Sequence, residues 1–115
     1  KEGGTWKDWP PKLLSGLMCR ESAKGKTFTS AYARMSWDKP SPTLTTHCVG
    51  LSNGRYGHPE QHRAISLREA AILQSFPETY KFIKEGEEVN ISVLARQIGN
   101  AVPPKLGESI GRSIL

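Results

Sequence analysis

Two stretches of this chain combine residue types and spacings that suit ligand binding. The first is Arg96-Gln97-Ile98-Gly99-Asn100-Ala101-Val102-Pro103-Pro104, in which a flexible glycine stands directly before an amide side chain. The Asn100 amide offers both a hydrogen-bond donor and an acceptor, so a backbone turn beside it would suit a polar ligand. The second is the run Thr43-Leu44-Thr45-Thr46, whose hydroxyl groups suit phosphate oxygens.

Each of these stretches also has a plain structural explanation. Glycine and asparagine are the usual residues at the C-terminal end of a helix, so Gly99-Asn100 is also typical of a helix cap. Threonine is common in β-strands. Arg34 precedes the threonine run, and Arg55 follows Asn53-Gly54, where it would reach a phosphate or a guanine edge. Both arginines are equally consistent with solvated surface charges.

Metal and thiol chemistry are weakly supported. His58 and His62 are four residues apart, a spacing that suits two metal ligands on one face of a helix, but Pro59 argues against a helix there. The chain has no C-x-x-C pair, so we expect no metal site. Cys19 and Cys48 are too few for a disulfide scaffold and indicate reduced thiols in a cytoplasmic protein.

The clearest predicted element is a helix over residues 65–76, because Ser66 and Glu69 form an S-x-x-E capping box. Pro77 is its predicted stop. A second helix is predicted from about Ser92 to Ile98, ended by Gly99. On the predicted helix 65–76, one face carries Leu67, Ala70, Ala71 and Gln74.

A third helix is predicted to begin at Pro103 or Pro104. Leu106, Ile110 and Ile114 repeat every four residues there, and Gly107 and Gly111 do the same. This pattern predicts a helix that packs closely against a large partner.

The N-terminal half has a different character. Residues 1–63 are rich in Gly, Pro, Ser and Thr, which predicts loops and short strands. The best strand candidate is 43–49, with Leu44, Thr46 and Cys48 on one face, followed by a tight turn at Asn53-Gly54.

Charge is distributed unevenly along the chain. Residues 1–63 hold ten Lys and Arg against five Asp and Glu, whereas 64–89 hold three against five and 90–115 three against one. An anionic partner is therefore expected on the N-terminal half, with a solvated basic surface as the alternative. No apolar run approaches the roughly 18–20 residues that span a membrane, and no signal-peptide pattern is visible.

Three runs of the chain, in this order, resemble motifs IX and X of DNA cytosine-5 methyltransferases. They are His58-Pro59-Glu60-Gln61-His62-Arg63, the run from Ser66 to Pro77 and the run from Arg96 to Pro104. The resemblance covers most of residues 31–115 and extends weakly to Gly3–Pro10. It implies an α+β fragment of an α/β S-adenosylmethionine-dependent methyltransferase, with a small loop-and-strand-rich recognition region followed by three short helices. The implied domains are 1–85, a target-recognition portion that includes the helix 65–76, and 86–115, helices that pack on a catalytic domain.

The resemblance also implies roles for individual residues. Asn100, Ala101 and Val102 would contact S-adenosylmethionine, and Arg68 and Glu69 would be scaffold. The family keeps its nucleophilic thiol directly after a proline, whereas Cys19 follows Met18 and Cys48 follows His47, so no catalytic residue is expected here. The implied contacts to double-stranded DNA are Arg34, Thr43, Thr45, Thr46 and Arg55.

The implied parent enzyme methylates C5 of a cytosine flipped out of duplex DNA, in a bacterial restriction–modification system. Its N-terminal catalytic portion would be a partner of this chain, in the same polypeptide or in a separate subunit, and the chain alone is expected to be inactive. One alternative is a stand-alone, non-catalytic DNA-binding module derived from such an enzyme. Another is an interaction protein without a nucleic-acid role.

Overall fold

The structure is a computed structural model that describes residues 1–16 and 29–115 of the chain. They form two compact units. The N-terminal unit comprises Lys1–Pro42 and Gly50–Ala64, and the C-terminal unit comprises Thr43–Val49 and Ile65–Leu115. The helices are α1 (Pro11–Leu14), α2 (Leu67–Leu73), α3 (Ile91–Asn100) and α4 (Pro104–Ile114), with 3-10 turns at Trp6–Asp8 and Leu51–Asn53.

The N-terminal unit is built from loops that lie side by side. Met35 donates its backbone N–H to Gly57 O at 2.9 Å, and Gly57 donates to Ala33 O at 3.0 Å. These contacts form only isolated bridges, Arg34 with Gly57 and Gly57 with Ala64. The predicted loops are therefore confirmed, whereas the prediction of short strands is wrong for the described residues, because each pairing ends after one bridge.

Helix α2 has the capping box that the sequence predicts, although the helix spans Leu67–Leu73 rather than 65–76. Ser66 Oγ accepts the Glu69 N–H at 3.2 Å, and the Glu69 carboxylate accepts the Ser66 N–H at 2.7 Å. The helix ends before Pro77 because Ser75 takes a φ of +63°, the left-handed conformation that closes many helices. The closing bonds run from Ser75 N to Ile72 O and from Phe76 N to Ala71 O.

Helix α3 is longer than predicted. The Asn90 side chain accepts the Val93 N–H at 3.1 Å, and the helix continues through Gly99 to Asn100. The prediction that Gly99 stops it is wrong. Helix α3 packs against α2, and the buried residues of these two helices are Ala70, Ala71, Leu94, Ala95 and Ile98.

Helix α4 begins at Pro104, which confirms the predicted start. Its apolar residues are exposed in the chain: Leu106 by 51%, Ile110 by 50% and Ile114 by 79%. A Cβ added at Gly107 or Gly111 would meet no atom within 4 Å. The bare glycine strip predicted from the sequence is therefore present.

The predicted strand over 43–49 is wrong. Residues 46–49 form a turn, in which Cys48 donates its N–H to Thr45 O at 3.1 Å. Leu44 and Cys48 are buried as the alternation suggests, but the segment packs its backbone on α3 rather than on another strand. The tight turn predicted at Asn53-Gly54 is present as the end of the 3-10 turn Leu51–Asn53, with Gly54 as its C-cap.

The compact units do not follow the predicted boundary after residue 85, because α2 and α3 lie on either side of it and pack together. The boundary concerns the division of labour in a parent enzyme, so it stays a prediction. No helix in the part of the chain that the structure describes has the length and apolar character to cross a membrane.

Candidate functional site

The end of α3 carries the amide singled out from the sequence. Asn100 is the last helical residue and is exposed, and Ala101 follows in an extended conformation with φ −69° and ψ 141°. Neither Gly99 nor Asn100 has a positive φ, so the interpretation of this pair as a left-handed helix cap is wrong. Val102 is 67% exposed. Asn100 and Val102 are therefore exposed at the helix end, on either side of the half-buried Ala101.

A glutamine on α2 fixes this helix end. Gln74 Nε2 donates to Ile98 O at 3.0 Å and to Ala101 O at 3.4 Å, the two carbonyls on either side of Gly99-Asn100. These carbonyls lie at a helix C-terminus, where the last carbonyls lack the usual helical partners; the Ile98 carbonyl also accepts the Ala101 N–H at 3.2 Å. The sequence pattern places Gln74 on the apolar face of α2 and assigns it no role. The signal that could have identified it is the single amide among apolar residues on that face.

The next residue fixes the start of α4. Ser75 Oγ accepts the Lys105 N–H at 3.2 Å, so it satisfies one of the N–H groups that a helix N-terminus leaves without partners. The end of α2 thus binds the end of α3 through Gln74 and the start of α4 through Ser75. This joint, made by Gln74 and Ser75, sets the direction of the chain through residues 99–104.

The threonine segment lies in the same unit. Thr43 and Thr45 are exposed and Thr46 is half-buried. Thr46 Oγ1 lies 3.0 Å from His47 Nδ1. The burial of Cys48 raises the pKa of its thiol, which disfavours a thiolate nucleophile. Cys19 lies outside the described residues.

The two predicted DNA-contacting arginines lie in the N-terminal unit, where they line one cleft of about 190 Å³ together with Lys39. Arg34 is already engaged. Its Nη1 donates to His58 O at 2.7 Å and also to Gln61 O, and its Nη2 lies 2.8 Å from His62 Nδ1. Arg34 therefore organises the loop 58–62, a role that sequence analysis missed. Arg55 is exposed.

The histidine pair is occupied by local hydrogen bonds. His58 Nδ1 accepts the backbone N–H groups of Glu60 at 3.2 Å and Gln61 at 3.0 Å. Across residues 1–16 and 29–115, no group of three or more His, Cys, Asp or Glu side chains is arranged to hold a metal ion.

Arg34 and Arg55 are expected to differ in their effect on stability. Replacing Arg34 with alanine removes the guanidinium from the carbonyls of His58 and Gln61, which should lower the free energy of unfolding by about 1–3 kcal/mol. The Gln61 carbonyl keeps the Arg63 N–H at 2.9 Å, so the loss at His58 is the larger one. Arg34→Lys should recover only part of the loss, because an ammonium cannot reproduce the guanidinium fork. Arg55→Ala is the matched control, and its free energy of unfolding, measured by chemical denaturation, should lie within about 0.5 kcal/mol of the wild-type value. Equal destabilisation by Arg34→Ala and Arg55→Ala would contradict this assignment.

Comparison with known proteins gives a consistent result. Residues 2–115 match the family model described as C-5 cytosine-specific DNA methylase. The chain is 54% identical over 112 residues to the type II methylase M.HgiDII of Herpetosiphon aurantiacus, covering 97% of this chain and 31% of that protein. It is 36% identical over 113 residues to the type II methyltransferase M.Eco47II of Escherichia coli, covering 98% of this chain and 26% of that protein.

A vertebrate protein also matches. DNA (cytosine-5)-methyltransferase 1 of Mus musculus is 44% identical over 84 residues, which cover 72% of this chain and 5% of that protein. The chain thus spans less than a third of the length of these curated relatives.

Proposed function

Because the chain belongs to the C-5 cytosine-specific DNA methylase family, we propose that it is the C-terminal, DNA-recognising and cofactor-pocket-completing part of a DNA (cytosine-5-)-methyltransferase. The parent enzyme transfers a methyl group from S-adenosylmethionine to C5 of cytosine in a specific DNA sequence. Its setting is a bacterial restriction–modification system in the cytoplasm. The observation that carries the proposal is the joint at Gln74 and Ser75, which holds an exposed amide and its neighbours in a defined geometry at a helix end.

Asn100, Ala101 and Val102 are the proposed contacts to S-adenosylmethionine, which supplies the methyl group. The amide of Asn100 fits the polar groups of this cofactor, because it can donate and accept hydrogen bonds. Val102, 67% exposed, fits its apolar surface. The fixed backbone matters here, because a ligand gains most from groups that are already in place before it binds.

The catalytic portion is the proposed partner of α4. Ile110 and Ile114 are 50% and 79% exposed on its apolar face, and the bare strip at Gly107 and Gly111 admits close approach of another backbone. The chain spans less than a third of the length of these relatives, which supports a large partner that carries the nucleophile.

Double-stranded DNA is the second proposed partner. Thr43, Thr45 and Thr46 remain the proposed phosphate contacts of the C-terminal unit, and Arg34 and Arg55 those of the N-terminal unit. The structure favours Arg55 over Arg34 for this role, since the Arg34 guanidinium is engaged with the loop 58–62. The alternative is a stand-alone, non-catalytic DNA-binding module derived from such an enzyme, and the absence of a Pro-Cys pair from this chain fits both proposals.

Binding of the chain to duplex DNA should weaken steeply with salt, because Lys and Arg displace condensed counterions from phosphates. Arg55→Ala should lower the slope of log affinity against log salt by roughly one unit. The matched control is Arg112→Ala, which removes the same charge from α4, where Arg112 pairs with Glu108 at 2.8 Å. Fluorescence anisotropy with labelled duplexes measures all three proteins. An affinity of wild type that does not change with salt would count against a DNA-binding role.

A further inference from the structure

Gly99 lies inside α3 at a point where another part of the chain touches its backbone. A Cβ at this position would overlap the carbonyl carbon and oxygen of Thr45 and would lie 2.7 Å from the Thr46 N. All three obstructing atoms belong to the main chain, so no side-chain rotation can relieve the overlap. Glycine is therefore required here for close approach, and the helix continues through it.

The segment that approaches Gly99 is held in place on both sides of the contact. Leu44 is 8% exposed and Cys48 is 0% exposed, so both flanks are anchored by burial. The Thr45 carbonyl also accepts the Cys48 N–H at 3.1 Å, which fixes the turn. An atom inserted at residue 99 would therefore meet a segment that cannot move without disturbing its buried anchors.

The opposite side of the helix end is held as well. Gln74 binds the carbonyls of Ile98 and Ala101, so α3 cannot move freely away from the segment either. Any increase in volume at Gly99 must displace the segment 43–49, the helix end or both.

We propose that Gly99 is a positioning residue, whose backbone contact with Thr45 and Thr46 holds the DNA-contacting threonine segment and the cofactor-contacting end of α3 in one fixed arrangement. This inference rests on the proposed function, in which Thr45 and Thr46 contact DNA and Asn100 contacts S-adenosylmethionine. DNA and S-adenosylmethionine then bind to two segments that touch each other at Gly99. A change on either side of that contact alters the affinity for the ligand on the other side.

The test uses the enzyme assembled with its catalytic portion and titrates DNA and S-adenosylmethionine separately. In Gly99→Ala we expect both affinities to fall by about tenfold or more, as when a positioned polar contact is lost at each site. The control is Ile98→Val, a mild change at the neighbouring buried residue, 1% exposed. It lowers the melting temperature through lost packing and should leave both affinities within about twofold of wild type.

A reciprocal variant keeps the proposal testable if Gly99→Ala does not fold. Leu44→Val trims the anchor of the threonine segment, far in sequence from the proposed cofactor contacts. We expect it to weaken S-adenosylmethionine binding by about fivefold, within the usual range of coupling between sites. Weakening of cofactor binding by Leu44→Val, together with weakening of both ligands by a folded Gly99→Ala, supports the proposal. If Gly99→Ala does not fold, the result for Leu44→Val decides alone.

Two outcomes separate the proposals. If wild-type enzyme binds both ligands but Leu44→Val leaves cofactor affinity unchanged, or a folded Gly99→Ala weakens at most one of them, the positioning role is overturned and the proposed function stands. If wild-type enzyme binds neither DNA nor S-adenosylmethionine, the proposed function fails and the positioning role fails with it.

Discussion

We expect the chain alone to transfer no methyl group from S-adenosylmethionine to cytosine in DNA, and the addition of its proposed catalytic portion to start the transfer. Methylation at C5 requires a nucleophile that adds to the pyrimidine ring. Neither cysteine of the chain follows a proline, and Cys48 is fully buried with a thiol pKa raised by burial. We therefore expect the chain alone to show no detectable methyltransferase activity.

The measurement is incorporation of labelled methyl groups into mixed-sequence duplex DNA. Three reactions are compared: the chain alone, the catalytic portion alone, and the two together. Only the mixture should incorporate label above a protein-free control. Label on cytosine C5 with the chain alone would refute the prediction, and a mixture that remains inactive would favour the non-catalytic module.

Replacement of Asn100 with alanine should weaken S-adenosylmethionine binding of the assembled enzyme about 5- to 150-fold, with a smaller effect on DNA binding. The physical reason is that a polar partner left unsatisfied costs roughly 1–3 kcal/mol. Asn100 is exposed in the chain, so its amide is available to a ligand. Isothermal titration calorimetry with the cofactor gives the affinity directly.

The control for this prediction is another asparagine on the same helix. Asn90 caps the N-terminus of α3 through Val93 N, and its loss should lower stability by about 1 kcal/mol while leaving cofactor affinity near wild type. Melting curves recorded for both variants separate ligand contact from stability. Should Asn100→Ala behave like Asn90→Ala, with lower melting and unchanged affinity, Asn100 would leave the proposed site.

Local sequence rules predicted the presence of α2, α3 and α4, but not α1, because the signals of those three helices lie within a few residues of each other. The capping box of Ser66 and Glu69 and the proline at the start of α4 act over one helical turn. The buried residues Leu44 and Cys48 were also predictable, since alternation records burial whatever the backbone does. The assignment to a family was within reach for the same reason, because its motifs are contiguous in the chain.

The rest of the structure depends on contacts between distant residues. Gly99 has the sequence signature of a helix stop, yet its role is set by Thr45, more than fifty positions earlier. Arg34 resembles a surface charge until the loop 58–62 is folded around its guanidinium. Helix α2 ends at a serine in the left-handed conformation, which a rule based on glycine and proline does not predict.

The amide of Gln74 has a consequence for the chemical durability of the protein. Its nitrogen faces two carbonyl oxygens, at 3.0 Å and 3.4 Å, and a carboxylate in its place would have only acceptors to offer. Deamidation to glutamate, which exchanges one nitrogen for one oxygen and leaves the side chain the same size, would therefore convert two attractions into two repulsions. A stored sample that loses this single amide would keep the buried packing between α2 and α3 and lose the two hydrogen bonds that hold the end of α3.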